Sequence, residues 1–181
     1  MLLAGCSTFE GTGDQGYVTG NGQVTEVPPA DRGEPVDLTG EDLEGEPISL
    51  EDARGLPVVV NVWGSWCPPC RAEAPDLVDA AEELGDSAAF YGINSRDSAT
   101  AQGLSFERAY GVEYPSFYSP DGRALLAFSG TLSPRTIPAT VVLDGEGRIA
   151  ASIIGPLPST KTLVDLVAAV AEESDAGGSG G

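Results

Sequence analysis

The sequence contains no histidine and few basic residues: nine Lys and Arg stand against 28 Asp and Glu in a chain of 181 residues. The lack of histidine excludes Cys–His and Ser–His catalysis, and it removes a common metal ligand. The formal net charge of −19 would repel nucleic acid phosphates and anionic lipid, so neither is an expected partner. No apolar run reaches the roughly 18 residues that predict a membrane-spanning helix.

Cysteine is also scarce, with only Cys6, Cys67 and Cys70. An odd number leaves one thiol to explain if the protein works in an oxidising compartment. Cys6 ends the stretch "LLAGC", which resembles the lipobox of bacterial lipoproteins, where the cysteine is lipidated after signal peptidase cleavage. A full export signal needs roughly 15–30 residues, so we expect the start of the chain to be trimmed or placed too late. The alternative is an accidental cysteine near the terminus.

Composition divides the chain into three parts. Residues 7–33 are rich in Gly, Thr, Asp and Pro with few large apolar side chains, so residues 1–33 are predicted to be a lipobox remnant and a flexible linker. Residues 34–174 are predicted to form one domain, and residues 175–181 a disordered tail.

Hydrophobic periodicity predicts the elements of this domain. They are a hairpin at 34–50, a buried strand at 56–64, a helix from Cys67 to Gly85, a strand at 88–94, a helix at 98–111, a hairpin at 138–155 and a last helix at 159–173. Ser159 is the expected N-cap of the last helix. This order predicts an α/β fold, with a mixed sheet and helices on both faces.

The stretch "WCPPC" at residues 66–70 places two cysteines where a buried strand gives way to a helix. Unpaired N–H groups and the helix dipole at such a position stabilise a thiolate, and the thiolate is the attacking form of cysteine. Cys70 lies one turn further on, near enough to attack a mixed disulfide formed at Cys67. Cys67 is therefore the predicted nucleophile and Cys70 the resolving thiol.

Two other interpretations of the cysteine pair are weaker. A zinc site needs four ligands, and only two neighbouring thiols are available, so no metal is expected. A purely structural disulfide would close a very short loop and stabilise the fold little.

The two prolines between the cysteines affect the thiolate. Pro68 fits the first turn of a helix, where its missing N–H would lack a partner anyway. Pro69 removes a second N–H that could have pointed at the Cys67 sulfur. A less stabilised thiolate makes the dithiol a stronger reductant, so the motif argues against a strongly oxidising role.

The run "VVVNVWGSWCPPCRAEAP" at residues 58–75 resembles the thioredoxin superfamily, and within it the TlpA/ResA-like thiol–disulfide oxidoreductases. The opening "LTGEDLEGEPISLEDARGLPVVV" is similar to that branch as well. The resemblance covers about residues 34–173. It implies a thioredoxin-like fold with a central mixed sheet flanked by helices, an N-terminal β-hairpin and a central insertion.

The resemblance also implies roles for individual residues. Pro138, preceded by Ile137 in "TIPAT", matches the cis-proline loop that pairs with substrate backbone. Glu73 matches a glutamate that helps to set the thiol pKa values, and the alternative is a solvated helix residue. Trp66 borders the nucleophile, or is simply a packing aromatic. Asn61 stands where thioredoxin has a buried Asp that assists proton transfer.

The function that the resemblance implies is reduction of protein disulfides outside the cytoplasm by a lipid-anchored monomer without a cofactor. The expected partners are secreted disulfide proteins, such as apocytochrome c during cytochrome c maturation, and a membrane thiol donor. Two alternatives remain, a disulfide-forming oxidase of the same fold and a non-catalytic binding module. A peroxiredoxin would carry a Pro-x-x-x-Thr-x-x-Cys stretch, which the sequence lacks.

Overall fold

The structure is a computed structural model that describes residues 23–178. Cys6, and with it the predicted lipobox, lies outside the described residues. A six-stranded sheet has the order β1-β8-β7-β4-β5-β6, and β2 and β3 form a separate antiparallel hairpin. The strands are β1 (Gln23–Glu26), β2 (Thr39–Glu41), β3 (Pro47–Ser49), β4 (Val58–Trp63), β5 (Ala89–Ser95), β6 (Ser116–Ser119), β7 (Ala139–Leu143) and β8 (Ile149–Ile154).

The central sheet is mixed. Strand β4 runs parallel to β5 and antiparallel to β7, and β6 runs parallel to β5. Every residue of β4 is buried, which agrees with its β-branched, continuously apolar sequence. The prediction of a mixed sheet flanked by helices is therefore confirmed.

Three α-helices connect or follow these strands: α1 (Pro68–Leu84), α2 (Thr100–Tyr110) and α3 (Thr160–Gly178). In β4, Val59 packs with side chains of α1 and α3, and Trp63, on the same face of the strand, stacks on Phe106 of α2. All three α-helices thus lie on one face, and not on both as the sequence predicts. The reason is that β4–α1–β5 and β5–α2–β6 step across the sheet in the same direction, so right-handed crossovers place both helices on the same side.

The other face of the sheet is covered by the β2–β3 hairpin and by two 3-10 turns. The turns are Leu50–Ala53, beside the hairpin, and Arg123–Phe128, in the insertion that precedes β7. Leu50, Leu125 and Phe128 are almost completely buried against the sheet. The second face of the core therefore consists of short segments that have no helical periodicity.

The predicted linker is shorter than the sequence indicates. Residues 23–26 form strand β1, which pairs with β8, and Val24 is buried in the core. Arg32 donates from its buried guanidinium to the carbonyl of Val27 and to Asp144 at 3.2 Å. Backbone pairing at the sheet edge and this ion pair order the stretch, although its composition is that of a linker.

At the other terminus, α3 begins after Ser159, whose Oγ accepts a hydrogen bond from the N–H of Thr162, as the N-cap prediction requires. The helix continues to Gly178, so residues 175–178 are helical where the sequence predicts a disordered tail. A helix extends readily once formed, because each added residue adds one backbone hydrogen bond. None of the helices among residues 23–178 combines the length and the apolar character that a membrane-spanning helix needs.

Candidate active site

Cys67 and Cys70 lie at the junction between β4 and α1. Helix α1 begins at Pro68, and Cys67 is its N-cap, with its Sγ accepting a hydrogen bond from the N–H of Cys70 at 3.2 Å. The two sulfurs form a disulfide. Cys67 is 3% exposed and Cys70 is 1% exposed, so access to the pair is narrow and slightly favours Cys67.

The prolines of the motif occupy the first two positions of α1. Neither Pro68 nor Pro69 has an N–H group, so the nearest amide that reaches the sulfur of Cys67 is that of Cys70. The amide of Arg71 bonds instead to the backbone carbonyl of Cys67. One backbone donor therefore faces the Cys67 sulfur, and Pro69 supplies none, as the sequence predicts.

The loop between β4 and Cys67 is held in place by hydrogen bonds to residues at and just after the end of β5. The N–H and Oγ of Ser65 both donate to the carboxylate of Asp97, at 3.0 and 2.6 Å, and the indole N–H of Trp66 donates to the carbonyl of Ser95 at 3.2 Å. Trp66 is nevertheless 45% exposed beside the disulfide. A Cβ at Gly64 would lie 2.9 Å from the same Ser95 carbonyl, so this close approach requires glycine.

Asp97 is a site residue that the sequence does not predict. It is 1% exposed and accepts a third hydrogen bond from the side-chain amide of Asn94 at 2.6 Å. The sequence feature that could have identified Asp97 is its position just after β5. The carboxyl ends of the parallel strands β4 and β5 share one edge of the sheet, so Asp97 lies near the cysteines that follow β4. Polar side chains at such an edge are well placed to hold the loops that meet there.

Replacing Asp97 tests whether it positions the loop. Asp97→Ala removes the acceptor of three donors, and we expect the free energy of unfolding to fall by about 3 kcal/mol and disulfide exchange to slow. Asp97→Asn should be much milder, since its carbonyl and amide can satisfy Asn94 and Ser65. The measurements are denaturant unfolding and the exchange rate of the folded protein.

Asp144→Ala is the matched control, because Asp144 is equally buried but lies at the end of β7 opposite the cysteines, bound to Arg32 and Arg148. It should lower stability without slowing exchange by the folded protein. Equal slowing in both alanine variants would contradict a positioning role for Asp97.

Glu73 is buried behind the disulfide, one helical turn after Cys70. Its two carboxylate oxygens accept hydrogen bonds from the side-chain amide of Asn61 at 3.1 Å and from the N–H of Leu157 at 2.8 Å. Burial raises the pKa of Glu73 from 4.5 to about 7, although these two hydrogen bonds oppose the shift. The solvated alternative for Glu73 is thus wrong, and its carboxyl group can take up or release a proton near neutral pH.

Asn61 links this carboxyl group to the start of β7. Besides Glu73, its side-chain amide contacts the carbonyl of Ala139 at 3.2 Å and the hydroxyl of Thr140 at 3.1 Å. Asn61 itself does not titrate. It therefore holds the buried glutamate in place while leaving the proton chemistry to Glu73.

The raised pKa of Glu73 predicts a dependence of stability on pH. Below pH 4.5 the carboxyl group is protonated in both the folded and the unfolded chain and contributes nothing. Between pH 4.5 and about 7 the carboxyl group is ionised in the unfolded chain but still protonated in the folded one, so the free energy of unfolding falls as pH rises. Above pH 7 the group is ionised in both states, and the full cost of burying its charge lowers the stability. A pKa shift of this size lowers the free energy of unfolding by about 3 kcal/mol at high pH.

Glu73→Gln removes this titration. Between pH 4 and pH 8 we expect its stability relative to the parent protein to improve by about 3 kcal/mol. Urea unfolding of both proteins at each pH measures the difference. If the glutamine leaves a hydrogen-bond donor unsatisfied, the variant loses the same stability at both pH values, so the difference between them is unaffected. A stability difference that does not change with pH would mean that Glu73 has an ordinary pKa in the folded protein.

The loop before β7 lies against the cysteines. The Ile137–Pro138 peptide bond is cis, as the resemblance implies, and Ile137 packs with Cys67 and Cys70 in one apolar cluster. The carbonyl of Pro138 accepts from the N–H of Gly155, which joins this loop to the end of β8. No group of three or more potential metal-binding side chains occurs within residues 23–178.

A dithiol pair at a strand–helix junction, beside a cis-proline loop on a mixed sheet, defines the thiol–disulfide oxidoreductases of thioredoxin fold, and this protein is an enzyme of that class. The chain belongs to the AhpC/TSA family, whose model matches residues 33–152.

Three relatives illustrate the similarity. The thiol:disulfide interchange protein DsbE of Pseudomonas aeruginosa is 32% identical over 72% of this chain and 71% of its own length. The thiol-disulfide oxidoreductase ResA of Bacillus subtilis is 30% identical over 65% of this chain but only 63% of its own length. A secreted thiol-disulfide isomerase from Corynebacterium glutamicum superposes with a TM-score of 0.78 and 30% identity, covering 91% of this chain and 98% of that one.

Proposed function

We propose that this oxidoreductase works outside the cytoplasm as a reductant of protein disulfides, held at the membrane by a lipid on Cys6 and acting as a monomer. The observation that carries the direction of electron flow is the single backbone donor on the Cys67 sulfur, the N–H of Cys70 at 3.2 Å. A thiolate with little stabilisation gives up its electrons more readily, which lowers the reduction potential of the pair.

The reaction begins with the reduced protein. The Cys67 thiolate attacks one sulfur of a substrate disulfide, forming a mixed disulfide and releasing the other substrate sulfur as a thiolate, which takes up a proton. Cys70 then attacks the mixed disulfide at Cys67. This step forms the Cys67–Cys70 disulfide, releases the second substrate thiol and completes the transfer of two electrons to the substrate.

Glu73 assists the second step. Cys70 must lose its proton before it attacks, and the carboxylate of Glu73, one helical turn away with a pKa of about 7, is the buried group that can accept it. Asn61 and the amide of Leu157 hold that carboxylate in place. A cofactor is not needed, because the two sulfurs carry both electrons.

The loop at Ile137 and Pro138 positions the substrate. The backbone N–H and carbonyl of Ile137 make no hydrogen bond to any of residues 23–178. They are therefore available to pair with an extended substrate segment, as an added strand pairs with a sheet edge. Trp66, exposed on the other side of the cysteines, supplies apolar contact area.

The topology agrees with membrane anchoring through Cys6. Gln23, the first residue of β1, pairs with Ile154 at the end of β8, and Ile154 pairs with Ala139, next to the cis-proline loop. The chain thus enters the fold at the end of the sheet that carries the cysteines. Residues 7–22 can span at most about 55 Å, so a lipid on Cys6 would keep the cysteines within reach of a membrane thiol donor.

Fractionation and cytochrome analysis test this proposal. Cys6→Ala should move the protein from the membrane fraction to the soluble fraction, and deletion of the gene should lower holocytochrome c, restored by the parent gene. A membrane-bound Cys6→Ala protein would refute the anchor. Normal holocytochrome c in the deletion strain would remove apocytochrome c as the substrate.

A disulfide-forming oxidase is the second candidate function. The reduction potential of the Cys67–Cys70 pair distinguishes it from the reductant role, because an oxidase needs a much higher value. Full function of a Cys67→Ser protein in cells would contradict both redox roles.

A further inference from the structure

Acidic residues are distributed unevenly in this chain. Although 28 of the 181 residues are Asp or Glu, none occurs in residues 53–72, 122–143 or 147–164. These three stretches contain the segments that meet at the disulfide: the Cys67 loop and the first turn of α1, the cis-proline loop, and the segment that bonds to Glu73. Three of the segments that meet at the cysteine end of the sheet therefore carry no carboxylate, whereas the segments after β5 and β6 carry Asp97 and Asp121.

The carboxylates near this end are buried or already bonded, and the exposed Asp121, after β6, forms an ion pair with Arg123 at 3.1 Å. Asp97 and Glu73 are 1% and 3% exposed. Asp76, one turn beyond Glu73 on α1, is half-buried and accepts a hydrogen bond from the hydroxyl of Thr160 at 2.9 Å. None of the three presents a freely exposed negative charge beside the cysteines.

Three arginines carry positive charge to the surface around the disulfide. The guanidinium of Arg71 donates to the carbonyl of Ser65, two residues before Cys67, and that of Arg96 donates to the carbonyl of Pro134, in the segment leading to the cis-proline loop. Arg135 follows Pro134 directly. All three are exposed, and none forms an ion pair with a carboxylate among residues 23–178.

We propose that these three arginines form a basic rim that selects disulfides flanked by acidic residues in the partner protein. The inference rests on the proposed disulfide exchange at Cys67 and adds the chemistry of the partner. A guanidinium is always charged and offers several donors to a carboxylate, so each arginine suits an Asp or Glu near the substrate cysteines. A basic flank would be repelled by the same three arginines, whereas the negative charge of the rest of the protein lies outside the rim.

Charges on such a rim mainly affect the rate at which the partner protein docks. At physiological ionic strength, exposed charges are screened beyond about 8 Å, so the arginines act on residues close to the docked disulfide. Their effect should appear in kcat/KM and in its salt dependence more than in the rate of the step that follows docking.

Three peptides of equal length, each with one disulfide and with acidic, neutral or basic flanks, test the proposal. The full chain is reduced beforehand, and its single-turnover oxidation by each peptide is followed by mass spectrometry of quenched samples. At physiological ionic strength, where the distant carboxylates are largely screened, we expect the acidic peptide to react about fivefold faster than the neutral one and the basic peptide to react slowest. In high salt the three rates should converge.

Arg135→Gln should lower the acidic-to-neutral rate ratio, and Arg135→Glu should lower it further. Arg135 is the best position because its side chain forms no hydrogen bond or ion pair within residues 23–178. Arg108→Gln is the matched control: this arginine is exposed near the end of α2, outside the three segments, and its replacement should leave the ratio unchanged.

Three results would overturn the inference, and they are distinguishable. If the neutral peptide reacts normally and the acidic one no faster, the basic rim has no role while the exchange reaction stands. If no peptide forms a disulfide-linked product with Cys67, the proposed exchange itself fails, and the inference fails with it. An unchanged ratio in Arg135→Glu would also contradict the rim.

Discussion

A Cys70→Ser protein is expected to accumulate a stable mixed disulfide between Cys67 and its substrate. Cys67 is the helix N-cap, its sulfur faces the N–H of Cys70, and it is the more exposed of the two. It can therefore attack an incoming disulfide, but without the second thiol nothing resolves the product. Non-reducing gels and mass spectrometry of the mixture with a disulfide peptide should show nearly complete conversion to the linked species.

Cys67→Ser is the matched control for that experiment. A serine hydroxyl does not ionise near neutral pH and is a poor nucleophile towards sulfur, so exchange should fall to the uncatalysed background. The 1% exposed thiol of Cys70 should form little linked product by itself. If Cys67→Ser forms the linked species as readily as Cys70→Ser, the assignment of the nucleophile is wrong.

Glu73→Gln is expected to slow the resolving step by about 100-fold at pH 7, because it removes the group that accepts the proton of Cys70. In the parent protein the rate of this step should rise as pH passes about 7, where Glu73 ionises. In the variant the rise should move towards the ordinary pKa of a thiol, about 8.5. Rapid-quench measurements of mixed-disulfide decay across this pH range provide both profiles.

Glu82→Gln provides the comparison for loss of charge alone, because Glu82 is exposed on the same helix. It should leave the profile of the parent protein unchanged. If Glu73→Gln keeps the same rate and the same pH midpoint, Cys70 passes its proton to another acceptor, and Glu73 serves only to hold Asn61 and Leu157.

The sequence predicts the redox motif well because its signals are local. Pro68, shortly after a buried strand, indicates where α1 begins, and the continuously apolar sequence of β4 predicts a sheet that is covered on both faces. The positions of Cys67 and Cys70 follow from these two elements. The hairpin at β2–β3 and the N-cap at Ser159 are likewise encoded by neighbouring residues.

The features that the sequence does not predict depend on contacts between distant residues. Asp97 reaches Ser65 only because β4 and β5 lie side by side, and Glu73 meets the amide of Leu157 across 84 positions of sequence. Strand β1 has the composition of a linker and is ordered by its pairing with β8. The placement of all three α-helices on one face follows from strand order, which hydrophobic periodicity does not encode.

The most direct test of the account is the reduction potential of the Cys67–Cys70 pair in the otherwise unmodified chain, measured by equilibration with glutathione or thioredoxin buffers. With one amide on the Cys67 sulfur and prolines at the next two positions, we expect a value near that of thioredoxin, about −270 mV. A value near −120 mV, typical of a strong oxidant, would contradict the reductant role and favour disulfide formation.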